Sequence, residues 1–322
     1  MKAIQVSHVG GPEAMECVDL PIPDPKANQA LVKLAASGIN FIDVYNREGR
    51  YKTPLPLVLG QEGAGVVTAV GADVTSVKVG DRVAWSGQLG SYAEYAALTA
   101  DLLVPVPPVV SDQQAAAAML QGMTAHYLAH DTYKLKRGET ALVHAAAGGV
   151  GLLLVQMAHA IGARVIATVS TEEKAQLARG AGAGDVILYT HADFEAETRR
   201  LTEGKGVDVV YDSVGKTTFE KGFNVLRPRG MMVLYGGSSG AAPAFDPILL
   251  TQKGSLYLTR PSLGAYVATR GDLLARSSAV FGMLAAGSLK LRIAHTYPLA
   301  DAQRAHRDLE GRKTAGKLLL IP

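Results

Sequence analysis

The sequence is poor in cysteine, in aromatic residues and in charge. Its 322 residues include one cysteine, Cys17, and aromatic residues make up 6% of the chain. A single thiol cannot form a disulfide bond within the chain, and structural zinc sites are usually built from clusters of cysteines. The sequence therefore excludes a disulfide framework and a cysteine-held structural zinc, and it is typical of a protein from a reducing compartment.

Long apolar runs and runs of one charge are also missing. Charged residues make up 19% of the chain, and the formal net charge is +3. No apolar stretch reaches the ~18 residues that a membrane span needs, and no basic run is interleaved with aromatics as on many nucleic-acid-binding surfaces. The opening M-K-A-I-Q-V alternates like a strand and lacks the apolar core of a signal peptide. We therefore expect a cytoplasmic protein with no membrane partner, and the charge pattern does not favour a nucleic-acid partner.

What the sequence does contain is enough apolar material for two cores. Hydrophobic residues make up 48% of the chain, and its length suits two domains. In roughly the first 110 residues, short apolar segments are separated by glycine, proline and charged residues, which indicates a β-rich domain. The predicted strands here are 3–6, 30–34, 65–70, 82–85 and 92–97. A helix capped at Ser111 and Asp112 should lead out of this domain.

From residue 139 onward the pattern changes to strands that alternate with helices. This alternation predicts a parallel, doubly wound α/β sheet with right-handed crossovers. The predicted strands are 140–144, 164–169, 185–189, 207–212, 231–235 and 255–259. A tail follows, with a helix near 272–286, a strand around 290–295, a helix near 300–309 and a closing apolar segment. The tail most simply returns to complete the first domain.

A glycine loop, A-A-A-G-G-V-G (145–151), follows the first strand of the alternating region and precedes a helix. Gly148 and Gly151 keep the spacing of the last two glycines of the dinucleotide-binding fingerprint, whereas Ala146 replaces the first. Gly148 would let the backbone approach a pyrophosphate, and Gly151 would let the helix pack closely on the strand. The helix N-terminus would supply N–H groups and partial positive charge. The predicted pyrophosphate contacts are Ala147, Gly148, Gly149, Val150 and Gly151.

The tip of the next strand distinguishes NADP from NAD. NAD-binding units usually place a carboxylate about 20 residues after the glycine loop, where it binds the ribose hydroxyls. Here the tip is Val169-Ser170, and Lys174 follows one turn into the helix. Glu172 and Glu173 fall in the first helical turn, where the helix dipole accounts for them. A hydroxyl and a cation suit a 2′-phosphate, so the sequence predicts NADPH.

Segments of the first domain resemble the medium-chain dehydrogenase/reductase superfamily. They are L-V-K-L-A-A-S-G-I-N-F-I-D (31–43), G-Q-E-G-A-G-V-V-T-A-V-G (60–71) and V-K-V-G-D-R-V (77–83). The resemblance implies a GroES-like β-rich catalytic domain, 1–124 plus 260–322, with an inserted Rossmann domain, 125–259. Zinc members of the superfamily carry cysteine, histidine and cysteine at or near Asn40, Gln61 and Gln121. Amides are not competent zinc ligands, so we expect no zinc.

Four further segments resemble the zinc-free NADPH quinone oxidoreductases of bacterial type, in the family that includes ζ-crystallin. They are N-x-x-D-x-Y-x-R-x-G-x-Y (40–51), Y-D-S-V-G (211–215), G-G-S-S-G (236–240) and Q-K-G-S-L-Y-L-T-R-P-S-L (252–263). The resemblance implies that the catalytic residues are Asn40, Asp43, Tyr45, Tyr51 and Gln61. It also implies that Asn40, Tyr45, Thr124, Ser170, Lys174, Tyr189, Ser213, Gly236, Ser238 and Arg260 bind the cofactor.

The resemblance implies reduction of a quinone by NADPH, through a hydride or through single electrons, without zinc. A quinone accepts a hydride readily, so the protein need only align the reactants and exclude water. A tyrosine such as Tyr51, or water, can supply the proton. Two alternatives stay open: reduction of activated C=C bonds in alkenals or enones, and an NADPH-binding protein with a structural or RNA-binding role. The small-molecule partner is accordingly a quinone or another electrophilic acceptor.

The last predicted strand of the parallel sheet, residues 255–259, indicates how the protein assembles. Its outer edge would carry unpaired N–H and C=O groups, and no lysine or proline inside it discourages pairing. Leu256 and Leu258 alternate with polar residues and would face the core. We therefore predict a homodimer that pairs this edge across a two-fold axis. The alternative is a monomer whose edge is covered by the loop 236–240.

Overall fold

The structure, a computed structural model, describes all residues from Met1 to Pro322. The chain divides into two compact units. The first unit comprises Met1–Met123 and Val267–Pro322, and the second comprises Thr124–Tyr266. No helix is both long and apolar enough to cross a membrane.

The strands are divided between the units, with the first eight and the last two in the first unit and the six between them in the second. They are β1 (Lys2–Val6), β2 (Met15–Asp19), β3 (Gln29–Ile39), β4 (Leu57–Val58), β5 (Glu62–Val70), β6 (Arg82–Ser86), β7 (Tyr95–Thr99), β8 (Val104–Pro105), β9 (Thr140–Val143), β10 (Arg164–Val169), β11 (Asp185–Leu188), β12 (Val207–Asp212), β13 (Leu226–Leu234), β14 (Tyr257–Thr259), β15 (Ile293–Pro298) and β16 (Lys317–Ile321).

The helices connect the strands and flank the sheets. They are α1 (Phe41–Arg47), α2 (Asp112–Tyr127), α3 (Gly149–Ile161), α4 (Glu172–Gly180), α5 (Phe194–Leu201), α6 (Phe219–Asn224), α7 (Ile248–Gln252), α8 (Leu263–Tyr266), α9 (Arg270–Ala285) and α10 (Ala302–Glu310).

The first unit is built on a mixed sheet in the order β15-β16-β3-β5-β6-β8, with β7 also paired to β3. A smaller sheet has the order β2-β1-β4. The C-terminal tail returns to this unit, because β16 pairs antiparallel with β3, with Leu318 opposite Ile39. This pairing brings the start of β16 beside the end of β3, and it places Lys317 next to Asn40.

The second unit is a six-stranded parallel sheet in the order β11-β10-β9-β12-β13-β14. The chain runs outward from β9 to β11 and then crosses back to β12, so the order reverses between β9 and β12. Ligands of open α/β sheets bind outside the carboxyl ends of the strands at such a reversal. The parallel sheet and the β-rich first unit confirm the predicted fold class.

Several predicted strand boundaries are wrong. Residues 92–97 were expected to form one strand, but β7 begins at Tyr95. Tyr92 is buried in a loop, and its backbone is hydrogen-bonded to Leu59 and Ile4. The apolar residues at the start of this segment therefore reflect packing in the core and not a strand. The last parallel strand is shorter than 255–259 because Ser255 has the left-handed φ of 57° and cannot continue an extended strand.

Strands β13 and β15 also differ from their predicted ranges. β13 begins at Leu226 instead of 231, because Leu226 pairs with Val207 across an irregularity in the sheet. β15 covers Ile293–Pro298 instead of 290–295, because its pairing with β16 continues to Pro298 opposite Ile321. Sequence periodicity could not fix these ends, since the pairing partner determines them.

Candidate active site

The cofactor residues predicted in the second unit lie along one edge of its sheet. All of them except Thr124 and Lys174, which lie in α2 and α4, follow the carboxyl end of one of the six strands, so the strand order arranges these residues in a row. In that row stand Tyr189 after β11, Ser170 after β10, the glycine loop after β9, Ser213 after β12, Gly236 and Ser238 after β13, and Arg260 after β14. An extended ligand with phosphates near its middle matches this row.

The glycine loop ends in a helix N-terminus that no side chain caps. α3 begins at Gly149, and Gly148 precedes it in an extended conformation without a side-chain cap. The first N–H groups of the helix are therefore free of a competing capping side chain and suit an anion. A Cβ atom on Gly151 would lie 2.4 Å from the carbonyl oxygen of Ala145, so only glycine allows this close approach. The loop fits a pyrophosphate.

The tip of β10 presents Ser170, which is half-buried, and Lys174 in the first turn of α4. The Thr171 hydroxyl caps α4 by accepting the Lys174 N–H at 3.3 Å. Glu172 pairs with Arg179 at 2.6 Å. This acidic residue is thus engaged within its own helix. A hydroxyl and an ammonium at the tip fit a 2′-phosphate, for which a carboxylate there would be repulsive.

Asp212, at the end of β12, organises the two loops on the other side of the reversal. It is buried, and its Oδ1 accepts the N–H groups of Val214 at 2.7 Å and Gly215 at 3.0 Å. Ser238 N–H donates to the Ser213 carbonyl at 3.1 Å, which joins the loop after β13 to the loop after β12. Sequence reasoning missed this role of Asp212, although the residue stands in the Y-D-S-V-G segment.

Arg260 and His144 complete the polar groups at this edge. Arg260 donates to the carbonyl oxygen of Gly236 at 3.4 Å, which places its guanidinium beside the loop after β13. His144 is buried at the end of β9, with its Nδ1 2.9 Å from the Thr168 hydroxyl and its ring edge-on to Phe194. Burial lowers the pKa of His144, so the ring is neutral. This is the setting of a structural residue.

In the first unit, Asn40 lies at the centre of a buried polar cluster that also contains Glu62, Gln121 and Lys317, here called the Asn40 cluster. The Asn40 Nδ2 donates to Glu62 Oε2 at 2.8 Å and to the Gly38 carbonyl at 3.3 Å. Its Oδ1 accepts from Gln121 Nε2 at 3.0 Å and from Lys317 Nζ at 2.8 Å. The protein therefore satisfies the whole Asn40 amide.

Glu62 and Lys317 form a buried ion pair within the Asn40 cluster. Their side chains are 0% and 2% exposed, and the Lys317 Nζ lies 2.5 Å from Glu62 Oε2. Glu62 Oε1 also accepts the Leu120 N–H at 2.6 Å. A Cβ atom on Gly38 would lie 2.3 Å from Glu62 Oε2, so glycine at that position lets the carboxylate enter. Burial lowers the pKa of Lys317, and the neighbouring Glu62 opposes that shift.

A second buried chain of hydrogen bonds runs from Asp43 to the surface. The Tyr92 hydroxyl donates to Asp43 Oδ2 at 3.0 Å and lies 3.1 Å from His306 Nε2. His306 Nδ1 lies 2.9 Å from Arg47, and Arg47 pairs with Glu310 at 2.7 Å. A guanidinium can only donate, so Nδ1 accepts and Nε2 carries the proton of a neutral imidazole.

Burial shifts the pKa values of two members of this chain in opposite directions. Burial raises the pKa of Asp43 to about 7, although hydrogen bonds from the Asn40 N–H and Tyr92 oppose the shift. Burial, followed by the charge of Arg47, lowers the pKa of His306 to about 3. The Asp43 Oδ1 has no hydrogen-bond partner, which leaves room for a proton on that oxygen.

The remaining predicted residues lie nearer the surface. Tyr45 is 9% exposed, and its ring packs edge-on against Tyr51 at 6.0 Å and under the Arg50 guanidinium at 5.0 Å. Tyr51 is 46% exposed. Gln61 is half-buried directly before β5, and Thr124 is buried in α2 at the beginning of the second unit. The structure thus brings Asn40 near Asp43 and Tyr45 near Tyr51.

Sequence reasoning did not find Lys317, Tyr92 or His306. Lys317 and Tyr92 are buried partners of the predicted residues Asn40 and Asp43, and His306 is a buried partner of Tyr92. Lys317 carried one usable signal, since it opens an otherwise apolar closing segment, K-L-L-L-I-P. A lysine in such a strand must find an acceptor or disrupt the core. The partners of Tyr92 and His306 are more than 40 residues away in sequence, and no local pattern indicates them.

The positions implied for zinc ligands bear amides, and two of them, Asn40 and Gln121, are hydrogen-bonded to each other. Carboxamides are poor zinc ligands compared with thiolate and imidazole, so this donor set does not fit zinc. The absence of zinc stays a prediction, which elemental analysis of the purified protein checks.

Two family models match the chain. One, for the alcohol dehydrogenase GroES-like domain, matches residues 26–108. The other, described as zinc-binding dehydrogenase, matches residues 149–269. The chain is 46% identical to a quinone oxidoreductase of Pseudomonas aeruginosa over 100% of this chain and 99% of that protein. It is 47% identical to quinone oxidoreductase 1 of Escherichia coli over 97% of each chain. The chain belongs to the quinone oxidoreductase family.

The similarity to solved structures extends over the whole chain. The crystal structure of the Escherichia coli quinone oxidoreductase complexed with NADPH matches with a TM-score of 0.98, at 46% identity and 100% coverage of both chains. A 2-haloacrylate reductase from Burkholderia is 42% identical over 97% of this chain and 96% of that protein. The predicted family, in the medium-chain dehydrogenase/reductase superfamily, is thus confirmed.

Proposed function

We propose that this member of the family is an NADPH-dependent quinone reductase. One observation carries the choice of cofactor: the tip of β10 presents Ser170 and Lys174 without a carboxylate, beside an uncapped helix N-terminus after Gly148. The related Escherichia coli enzyme, named for its quinone activity, was crystallised with NADPH. Both the relatives and the site favour the same cofactor.

We propose these roles for the residues of the second unit. Ala147, Gly148, Gly149, Val150 and Gly151 bind the pyrophosphate through the glycine loop and the uncapped N–H groups at the start of α3, whereas the Gly148 N–H itself is donated to the Ala145 carbonyl at 2.8 Å. Ser170, Lys174 and Tyr189 bind the 2′-phosphate and adenosine, whereas Ser213, Gly236, Ser238 and Arg260 serve the nicotinamide half, together with Thr124. The division follows the strand order, since β10 and β11 lie on one side of the reversal and β12 to β14 on the other.

In the first unit, we propose that Asn40, Asp43, Tyr45, Tyr51 and Gln61 serve the reacting end. NADPH, when bound, supplies the hydride, and the acceptor takes one proton as well. Asn40 and Asp43 are buried in hydrogen-bond networks, so they act as positioning residues. Tyr51 is the most exposed of the five and carries a phenol that can donate a proton or orient the acceptor. The quinone itself delocalises the incoming negative charge, which lowers the demand on the protein.

Reduction of activated C=C bonds is the second candidate, and the 2-haloacrylate reductase supports it, since that name denotes an activated alkene. Steady-state turnover with NADPH distinguishes the two. We expect a kcat/KM for 1,4-benzoquinone at least tenfold above that for an alkenal or for 2-chloroacrylate. The reverse order would assign the alkene activity. Tight NADPH binding without turnover of either class would reject both and favour a binding protein with a structural or RNA-binding role.

We also propose that the protein is a cytoplasmic homodimer. β14 is the terminal strand of the parallel sheet and bonds only to β13 within the chain. Tyr257 in this strand is 57% exposed, and Ile248 nearby in sequence is 53% exposed. An uncovered edge with exposed apolar side chains favours pairing with a second copy. We further propose that the second unit is the NADPH-binding domain, and that the first is the catalytic domain.

A further inference from the structure

Lys317 is a buried cation whose donors are all used within the first unit. Its Nζ lies 2.5 Å from Glu62 Oε2, 2.8 Å from Asn40 Oδ1 and 3.2 Å from the Ile39 carbonyl oxygen. An ammonium has three N–H donors and no acceptor, so these three oxygens match it fully. A buried ammonium persists only with such compensation, which indicates that the position of Lys317 is tightly fixed.

The charges of Lys317 and Glu62 determine which way the Asn40 amide points. Lys317 can only donate, so it requires the Asn40 oxygen, and the Glu62 carboxylate can only accept, so it requires the Asn40 NH2 group. A rotation of the amide by half a turn would set NH2 against the ammonium and oxygen against the carboxylate. Two charge-assisted hydrogen bonds would be lost, and one orientation therefore dominates.

The fixed Asn40 amide in turn orients Gln121. Asn40 Oδ1 can only accept, so Gln121 must present its Nε2, which lies 3.0 Å away. Gln121 is half-buried, whereas Asn40, Glu62 and Lys317 are buried. The second N–H and the Oε1 of Gln121 remain for a group outside the cluster. The charge of Lys317, acting through Asn40, thus determines which atoms the half-buried Gln121 amide presents outside the cluster.

We propose that Gln121 is a catalytic residue that donates its second N–H to a carbonyl oxygen of the acceptor, and that Lys317 is a positioning residue that acts on Gln121 through Asn40. The proposal rests on the quinone reductase function proposed above. A quinone oxygen gains negative charge as the hydride arrives, so a preset N–H donor stabilises the transition state more than the ground state. The effect should therefore fall on kcat more than on KM.

A double-mutant cycle tests this pathway. Gln121→Met, Lys317→Met and the double variant are assayed with NADPH and 1,4-benzoquinone, and NADPH binding is measured by titration. We expect each single change to lower kcat about tenfold, with KM for the quinone and Kd for NADPH within about twofold of wild type. Because Lys317 acts through Gln121, the double variant should lose no more than the worse single variant.

The controls separate positioning from loss of stability. Leu98→Ala opens a cavity in the apolar core of the same unit, away from the Asn40 cluster, and should lower the melting temperature with little change in kcat. If Lys317→Met does not fold, because Glu62 is left buried and unpaired, the double substitution Lys317→Met/Glu62→Gln, which removes both charges together, takes its place in the cycle.

Two results would overturn the inference while leaving the proposed function in place. One is a double variant whose loss equals the product of the single losses, and the other is a Leu98→Ala variant that loses kcat as Lys317→Met does. Wild-type protein that fails to reduce 1,4-benzoquinone with NADPH would reject the proposed function, and the inference with it.

Discussion

At the scale of single residues, Asp43 and His306 show how burial redistributes one proton. The pKa of Asp43 is raised from 3.8 to about 7, and that of His306 is lowered from 6.5 to about 3. Between about pH 4 and pH 6.5 the folded protein holds a proton on Asp43 and none on His306. The unfolded chain holds one on His306 and none on Asp43. Folding therefore changes no net proton count at this pair, and its two contributions to the pH dependence of stability cancel.

Substituting either Asp43 or His306 should reveal how the remaining residue makes stability depend on pH. In Asp43→Asn the unfolded state binds the extra proton, on His306, so stability should rise with pH across this window. In His306→Gln the folded state binds it, on Asp43, so stability should fall as pH rises. Each slope, relative to wild type, should approach ~1 kcal/mol per pH unit. Urea unfolding at several pH values checks this, and variants that both run parallel to wild type would contradict the assigned protonation states.

Lys174 is the residue on which cofactor preference should depend. Its ammonium at the tip of β10 would make a charge-assisted contact with the 2′-phosphate, on the order of 1.5–3 kcal/mol. Lys174→Ala should weaken NADPH binding about tenfold or more and leave NADH binding nearly unchanged, as measured by fluorescence titration. Lys205→Ala, at an exposed lysine of the same unit, serves as the control and should change neither. Equal losses for both cofactors would reject the contact with the 2′-phosphate.

At the scale of elements, the junction between β9 and α3 depends on glycine for close approach. In Gly151→Ala the new Cβ would lie 2.4 Å from the Ala145 carbonyl oxygen and 2.8 Å from Ala146 Cα, so α3 must shift away from the sheet. We expect a lower melting temperature and NADPH binding weakened at least tenfold, because the helix N-terminus moves with the shift.

Gly180→Ala is the matched control for this change. A Cβ atom at Gly180, the last residue of α4, would meet nothing within 4 Å. The substitution should be neutral or stabilise the protein by up to ~1 kcal/mol, since alanine loses less entropy in a helix than glycine does. Thermal unfolding and cofactor titration of the two variants give the comparison. Unchanged NADPH affinity in Gly151→Ala would contradict a phosphate site at this helix.

At the scale of the whole molecule, the exposed edge of β14 predicts the assembly. Light scattering at micromolar concentration should give about twice the mass of one chain, and Tyr257→Lys should lower it to one. A lysine from each copy would meet its like charge across a two-fold pairing, and lysine discourages edge pairing in general. Unfolding of the variant is not expected, because Tyr257 is mostly exposed. A wild-type mass of one chain would reject the dimer.

The sequence by itself determined the fold class and the family, and it predicted which edge of the parallel sheet binds the cofactor. These predictions rest on local patterns, namely strand and helix periodicity, the glycine loop and the strand tip at Ser170. Each pattern involves only residues within one βα unit. The parallel order then follows from crossover rules that leave few alternatives. Exact strand ends did not follow from pattern alone, as β7 and β14 show.

Only the tertiary structure decided the buried polar partners. Lys317 reaches Asn40 from 277 residues away, and His306 reaches Tyr92 from 214 residues away. Such pairs form because β16 returns to β3 and α10 packs in the first unit. Each buried polar group there must find a partner that no neighbouring residue supplies. A local pattern can show that a residue is polar within an apolar segment. Only the folded chain shows which group satisfies it, and therefore which way the Asn40 and Gln121 amides point.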